Sequence, residues 1–279
     1  MEKTYVEVRN MSSYGTFSMK NRSSLSKEGP RTKLSDQLLS IFICGNSMEL
    51  SDQLGPILRK DYETYDQGIE AKAHFWNMLA ATVPETGYVI PEGRLTTILD
   101  VACGFGEELR VLDEYFGGGR FGKSNNNTRI VGIDIHSRAI EWQRRNLELV
   151  SRENELKTKS TLPERIELVV GDATALSNYP QIPEKADVIV IRHPYIQSDR
   201  VMWTKIFEQA VNRLSEEGIM ILTTHSDEEK DMVLEVLGTL KCRVVINKRN
   251  PFAGTHYGVV VNGKEAKNDR NAIIVKTAA

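Results

Sequence analysis

The chain has 279 residues, 40% of them hydrophobic and 27% charged, with a formal net charge of -2. A chain of that length buries a proper core, and the composition is that of a globular protein, not a disordered or fibrous one. So small a net charge supplies no electrostatic drive toward nucleic acid or anionic lipid, and neither is expected as a partner. The start, MEKTYVEVRN, lacks the apolar core of a secretory leader, and no run approaches the length of a membrane span. We therefore expect a cytoplasmic location. Cys44, Cys103 and Cys242 form no C-x-x-C pair and suit free thiols in a reducing compartment. The histidines, His74, His136, His193, His225 and His256, show no ligand spacing, so no metal is expected.

Residues 1–50 read as an extension, an arm or a cap, rich in Ser, Asn and Lys. Within it Thr4–Val8 and Thr16–Met19 alternate well enough to pair as a small hairpin, and a flexible arm is equally consistent. The pentapeptide LSDQL occurs at Leu34–Leu38 and Leu50–Leu54, where Ser35 and Ser51 suit helix N-caps. Residues 51–279 read as one domain, starting with a helix over roughly 62–81 that ends before Pro84.

From Leu95 the rhythm is regular. Apolar runs rich in Ile and Val occupy 97–101, 129–133, 166–170, 187–191, 219–223, 243–247 and 272–276. Amphipathic segments at 106–116, 136–156, 198–214 and 227–240 fall between them, and 173–178 offers a short turn of helix. Continuously apolar strands such as DVIVI suit a sheet covered on both faces, and the alternation predicts parallel pairing with crossover helices. Ser226 with Glu229 forms a capping box at the start of the last helix. No helix pattern separates 243–247 from 272–276, so these two strands must pair antiparallel, joined by a long ordered loop over 251–270. The predicted fold class is α/β: a three-layer sandwich around a seven-stranded, mostly parallel sheet ending in an antiparallel pair.

The stretch ILDVACGFGEELRVL (Ile98–Leu112) carries the chemistry. Gly104 and Gly106 follow a buried strand and precede a helix, which lets a backbone approach a ligand closely. A dinucleotide fingerprint needs glycine at position 109, where Leu109 stands, and the Gly-Lys-Ser/Thr of a P-loop is missing. Glu107 and Glu108 would repel a pyrophosphate at that helix start, while Asp100 precedes the loop. The carboxylates suit a cationic ligand. S-adenosylmethionine fits, because its ammonium and sulfonium are both positive and it carries no phosphate.

At these residues the chain resembles the class I S-adenosylmethionine-dependent methyltransferases, over about residues 62–279. LDVACGFG is similar to their glycine-rich first motif, with Ala102 in place of a frequent glycine. The resemblance implies S-adenosyl-L-methionine as cofactor, held by Asp100, Ala102, Cys103, Gly104, Gly106 and Glu107. It further implies that Asp134, ending IVGID, accepts from the ribose hydroxyls and that Ile135 packs on adenine. Asp172 and Ala173, after the third strand, would meet the adenine edge. A helix or turn cap is the alternative for both aspartates.

The same resemblance puts the methyl acceptor beyond the fourth strand, at Arg192-His193-Pro194-Tyr195. Arg192 stands where amino-methylating relatives carry a carbonyl, and a guanidinium cannot accept from an amino group. Arg192 is expected to touch cofactor or an anionic acceptor, or to pair with Glu107 or Asp187. His193 is the candidate catalytic base for a hydroxyl acceptor, with a purely structural hydrogen bond as the alternative. Many such enzymes act by alignment alone. Tyr65 is expected over the cofactor and Tyr62, Tyr195, His256 and Tyr257 around the acceptor, whereas His74, His136 and His225 read as structural. The expected activity is methyl transfer to a small molecule, at a hydroxyl, carboxylate or amine. The alternatives are an RNA or protein methyltransferase and a catalytically silent cofactor-binding protein. Oligomeric state is left open.

Overall fold

The computed structural model describes residues 67–90, 94–104, 106, 108–117, 128–145, 147, 165–261 and 264–278, and the side chains of 67–71 and 254–268 are not part of that description. The expectations on the 1–50 extension, Ser51, Tyr62, Tyr65 and Glu107 therefore lie outside the described residues.

Runs of Ile and Val become strands because the sheet is covered on both faces. They are β1 (Thr96–Val101), β2 (Thr128–Asp134), β3 (Ile166–Val170), β4 (Ala186–Arg192), β5 (Leu214–Thr224) and β6 (Cys242–Arg249). After β7 (Gly254–Val261) and β8 (Lys264–Asn268), β9 (Asn271–Thr277) returns to the sheet. The strand order is β3-β2-β1-β4-β5-β9-β6, seven strands. β1 pairs parallel with β2 and β4, β2 with β3, and β4 with β5, while β9 runs antiparallel to both β5 and β6. The expected antiparallel finish is thus present, with the last strand inserted between its two predecessors.

Alternation along each strand divides the core in two. Leu99, Val101, Val131, Ile133, Ile189, Ile191, Met220 and Leu222 pack with helices α4 (Arg200–Arg213) and α5 (Asp227–Leu237), through Trp203, Phe207, Val233 and Leu237. Ile98, Ile130, Val188 and Ile219 are as buried but stand outside that cluster, as the opposite parity requires. Helix α1 (Gln67–Thr82) and α2 (Leu109–Phe116) contribute Phe75, Leu79, Leu112 and Tyr115, all buried. A further helix, α3, covers 137–145.

Two expectations need correction. Helix α2 starts at Leu109, not 106, because Gly106 has a φ of 59° that helix cannot continue through. The 251–270 connection is not a plain loop: β7 and β8 pair as a two-stranded sheet of their own. The overlooked signal is Asn262-Gly263, the dipeptide of tight hairpin turns, after the β-branched run Val259–Val261.

Candidate active site

Among the described residues, four non-glycine residues have positive φ, Ala102 (57°), His193 (52°), Tyr195 (44°) and Asp269 (49°), joined by Gly104 and Gly106 at 51° and 59°. They follow β1, follow β4 or precede β9, whose start pairs with the end of β5 (Thr224 opposite Asn271). All therefore lie along the carboxyl edge of the parallel strands, where ligands bind in such sheets. Backbone strain concentrated at one edge is stored where it has a use.

The loop after β1 is built around two glycines with opposite surroundings. A Cβ on Gly104 would meet none of the described residues within 4 Å, so among them space lies open beside it. A Cβ on Gly106 would stand 2.5 Å from the Gln143 side-chain amide. That amide, buried on α3, donates to the Gly104 carbonyl and holds the loop down. Cys103 is buried beneath it, and burial, with Asp100 and Glu108 beside it, pushes the thiol well up, so it stays protonated.

Asp134 ends β2 as a brace. One carboxylate oxygen accepts the Gly104 N–H at 2.8 Å and the other the His136 N–H at 2.7 Å. Ile135 beside it is 64% exposed, an apolar side chain left facing outward at the site's edge. Asp172 caps the short 3-10 turn Ala173–Asn178, accepting the Thr174 N–H at 2.8 Å, as the cap alternative anticipated. Its own N–H donates to the Tyr179 hydroxyl at 2.7 Å. The Tyr179 ring crosses Gly171 so closely that a Cβ there would come within 2.6 Å of it.

Deeper in the site runs a chain of buried charge. Arg192 donates to Glu108 at 2.8 Å and to both Asp269 oxygens at 3.1 and 2.7 Å, while its guanidinium lies 4.5 Å from the Phe75 ring centroid. Of the two expected partners, Asp187 is held by Arg94 at 2.8 Å, and Glu107 lies outside the described residues. Burial alone would raise Asp269, yet Arg192 and His193 beside it hold its carboxyl well below the usual range. Asp100 behaves oppositely. Burial, and then the Glu108 carboxylate, raise it well above that range, and neither of its oxygens has a hydrogen-bond partner among the described residues.

His193 receives the Asp269 backbone N–H on Nε2 at 3.0 Å, with Asp269 Oδ1 3.1 Å from the same nitrogen. Its ring stacks on His225 at a centroid separation of 3.7 Å. Glu229, buried at the start of α5, draws the two strand ends together by accepting the His225 N–H at 2.7 Å and the Tyr195 N–H at 3.0 Å. Ser226 caps the same helix through the Glu229 N–H, as the sequence pattern predicts.

The structure thus brings together Asp100, Ala102, Cys103, Gly104, Gly106, Asp134, Arg192, His193 and Tyr195. His256 and Tyr257 fall on β7, and their side chains lie outside the description. Sequence reasoning missed Glu108 as the Arg192 partner, missed Asp269 and Gln143 altogether, and read Glu229 only as a capping-box residue. Only Glu229 had a signal, its capping-box position.

Residues 93–259 match the family model described as a methyltransferase domain. The chain belongs to that family. No curated protein matches this methyltransferase. Among solved structures it is similar to an S-adenosylmethionine-dependent methyltransferase from Clostridium acetobutylicum, with 12% identity, a TM-score of 0.50, and 82% of this chain and 99% of that one covered. It is also similar to an O-methyltransferase from Thermotoga maritima (14% identity, TM-score 0.47, 75% and 71% covered). An rRNA methylase from Streptococcus thermophilus matches at 13% identity and a TM-score of 0.45, covering 74% and 95%. The methyltransferase is an enzyme with S-adenosylmethionine as its cofactor. None of its helices among the described residues is long and apolar enough to cross a membrane.

Proposed function

We propose that the methyltransferase acts on a small molecule whose accepting atom is already nucleophilic at neutral pH, a carboxylate or a weakly basic amine that is unprotonated there, and that it works by alignment. One observation carries this reading. A neutral imidazole has a single ring lone pair, and on His193 that pair accepts the Asp269 backbone N–H at 3.0 Å. The proton then sits on Nδ1, so His193 offers the acceptor a donor and not a base. Tyr195, 41% exposed, supplies apolar surface next to it.

The residues present fit the cofactor. The space left open at Gly104 by the described residues admits the ligand against the backbone, and the carboxyl of Asp100, unpartnered among those residues, is available to an ammonium group. In this reading Asp134 keeps its loop contacts and accepts the ribose hydroxyls with its remaining lone pairs, which a carboxylate has to spare. Ile135 covers one face of the adenine, and Asp172 with Ala173 reads its edge. Arg192 stands one step back, orienting Glu108. Bound there, the cofactor supplies an electrophilic methyl group on a cationic sulfur. The protein aligns the acceptor behind that methyl and excludes water, which is worth several orders of magnitude in rate without proton transfer. Residues 51–279 form the catalytic domain in this scheme, with 1–50 as its extension.

A second observation favours a different acceptor. Asp269 Oδ1 lies 3.1 Å from His193 Nε2, and a proton on Nε2 directed at that carboxylate would leave Nδ1 as a base for a hydroxyl. Nitrogen-15 NMR of the His193 ring, assigned with His193→Gln, separates the two. Transfer of labelled methyl to pooled carboxylic acids, amines, phenols and tRNA then names the class. We expect Nδ1 to carry the proton, and a rate that does not follow a histidine titration. A bare Nδ1 together with transfer to phenols alone would overturn the alignment reading.

A further inference from the structure

The charge beneath the glycine loop does not balance. Asp100 and Asp269 are fully buried, and the side chains of Glu108 and Arg192 retain 7% and 10% exposure. Arg192 donates to Glu108 and Asp269, and both oxygens of Asp100 stay without a partner among the described residues. Among the described residues, the groups facing the pair are Cys103 from the loop, Asp134 from the end of β2, and Arg192 and His193 from the end of β4, with Asp269 from the start of β9. Cys103 stays a thiol, Asp134 adds negative charge, and His193 is committed to Asp269. Among the described residues one guanidinium thus serves three buried carboxyl groups. A buried carboxylate in that position takes up a proton or waits for a cation.

We propose that Glu108 is a positioning residue for the cofactor's amino-acid end: beside it the buried carboxyl of Asp100 keeps its proton in the free enzyme, and releases it when the ligand's ammonium group binds. The inference rests on S-adenosylmethionine as the cofactor. The ammonium enters already charged, one carboxyl O–H bond breaks, and the proton leaves to solvent. Glu108 is held for this by Arg192, which is fixed in turn by Asp269 and by the Phe75 ring. The ligand's cation replaces the missing charge, and the Asp100–Glu108 pair becomes fully ionised only in the complex. Two like charges side by side need such a counterion.

The sign follows by linkage. If the ligand binds the ionised pair, affinity rises with pH while the pair is protonated and levels off once it is not. S-Adenosylhomocysteine is the probe, because it keeps the ammonium and consumes nothing. Calorimetric titration in buffers of different ionisation enthalpy counts the protons directly, below about pH 7.5 so that the ligand's own amino group stays charged. We expect close to one proton released per ligand bound and an affinity that grows up to about tenfold per pH unit on the acid side. Glu108→Gln should still bind, with the release and the pH dependence both reduced, because the burial of Asp100 remains. Asp100→Asn should lose the release. Binding by the wild type with no proton exchanged would overturn the inference, whatever the variants do. Undiminished release from Glu108→Gln would overturn it equally. No binding at any pH would remove the cofactor assignment itself, and this inference with it.

Discussion

Replacing Asp134 with alanine tests the brace at the end of β2. Both oxygens of this carboxylate are in use without any ligand, on the Gly104 and His136 amides at 2.8 and 2.7 Å. Hydrogen bonds to a charged group are worth about 1.5–3 kcal/mol each, so the pair sets an upper bound of about 3–6 kcal/mol. His136 is exposed and Gly104 half-buried, so water recovers part of that when the side chain goes. We expect the free enzyme to lose about 2–4 kcal/mol, a fall in Tm of about 5–10 °C for a domain of this size. Asp134→Asn keeps one acceptor but turns a donor toward the other amide, so it should stay close to alanine. Scanning fluorimetry of the free protein measures this, and calorimetry with S-adenosylhomocysteine measures the loss of affinity separately. A side chain that served the ribose alone would leave the Tm of the free enzyme where it was. That result, with affinity reduced, would refute the brace.

Two further outcomes follow from the charges. Arg192→Met leaves Asp269 and Glu108 buried without their counterion and should cost about 3–5 kcal/mol in urea unfolding, with Arg192→Lys recovering part because the charge remains. Hydrogen bonding to Arg270, against the opposing effect of partial burial, holds Asp227 down at about 2. A depressed carboxylate contributes stability above its unfolded value, and that contribution fades as pH falls from about 4 toward 2. Asp227 is 40% exposed, so solvent screening keeps the effect below about 1 kcal/mol. Asp227→Asn should lose that amount at neutral pH and match the wild type once pH falls below about 2, which flattens the acid limb of the stability–pH curve.

Local chemistry made much of this molecule readable from its sequence. Strand runs such as DVIVI and the capping box at Ser226 depend on neighbours a few residues away, and all appear where the pattern placed them. The glycine loop could be judged for charge because Asp100, Glu107 and Glu108 lie beside it in the chain. Where a signal was overlooked, at Asn262-Gly263, it too was local.

The buried network answers to a different scale. Arg192 meets Glu108 across 84 positions and Asp269 across 77, and no spacing rule reaches that far. Glu108 and Glu107 are indistinguishable as neighbours in a string. Helix α2 starts only at Leu109, and the turn before it aims Glu108 at the guanidinium. Asp269 looks like one more polar residue in a polar stretch until β9 inserts between β5 and β6 and buries it against the end of β4. Residue types and periods decide that a parallel sheet forms and which of its edges is ready for a ligand. Which carboxylates stand together at that edge, and so how many protons and cations it must hold, is decided by strand order, because burial and Coulomb energy depend on distance in space and not along the chain.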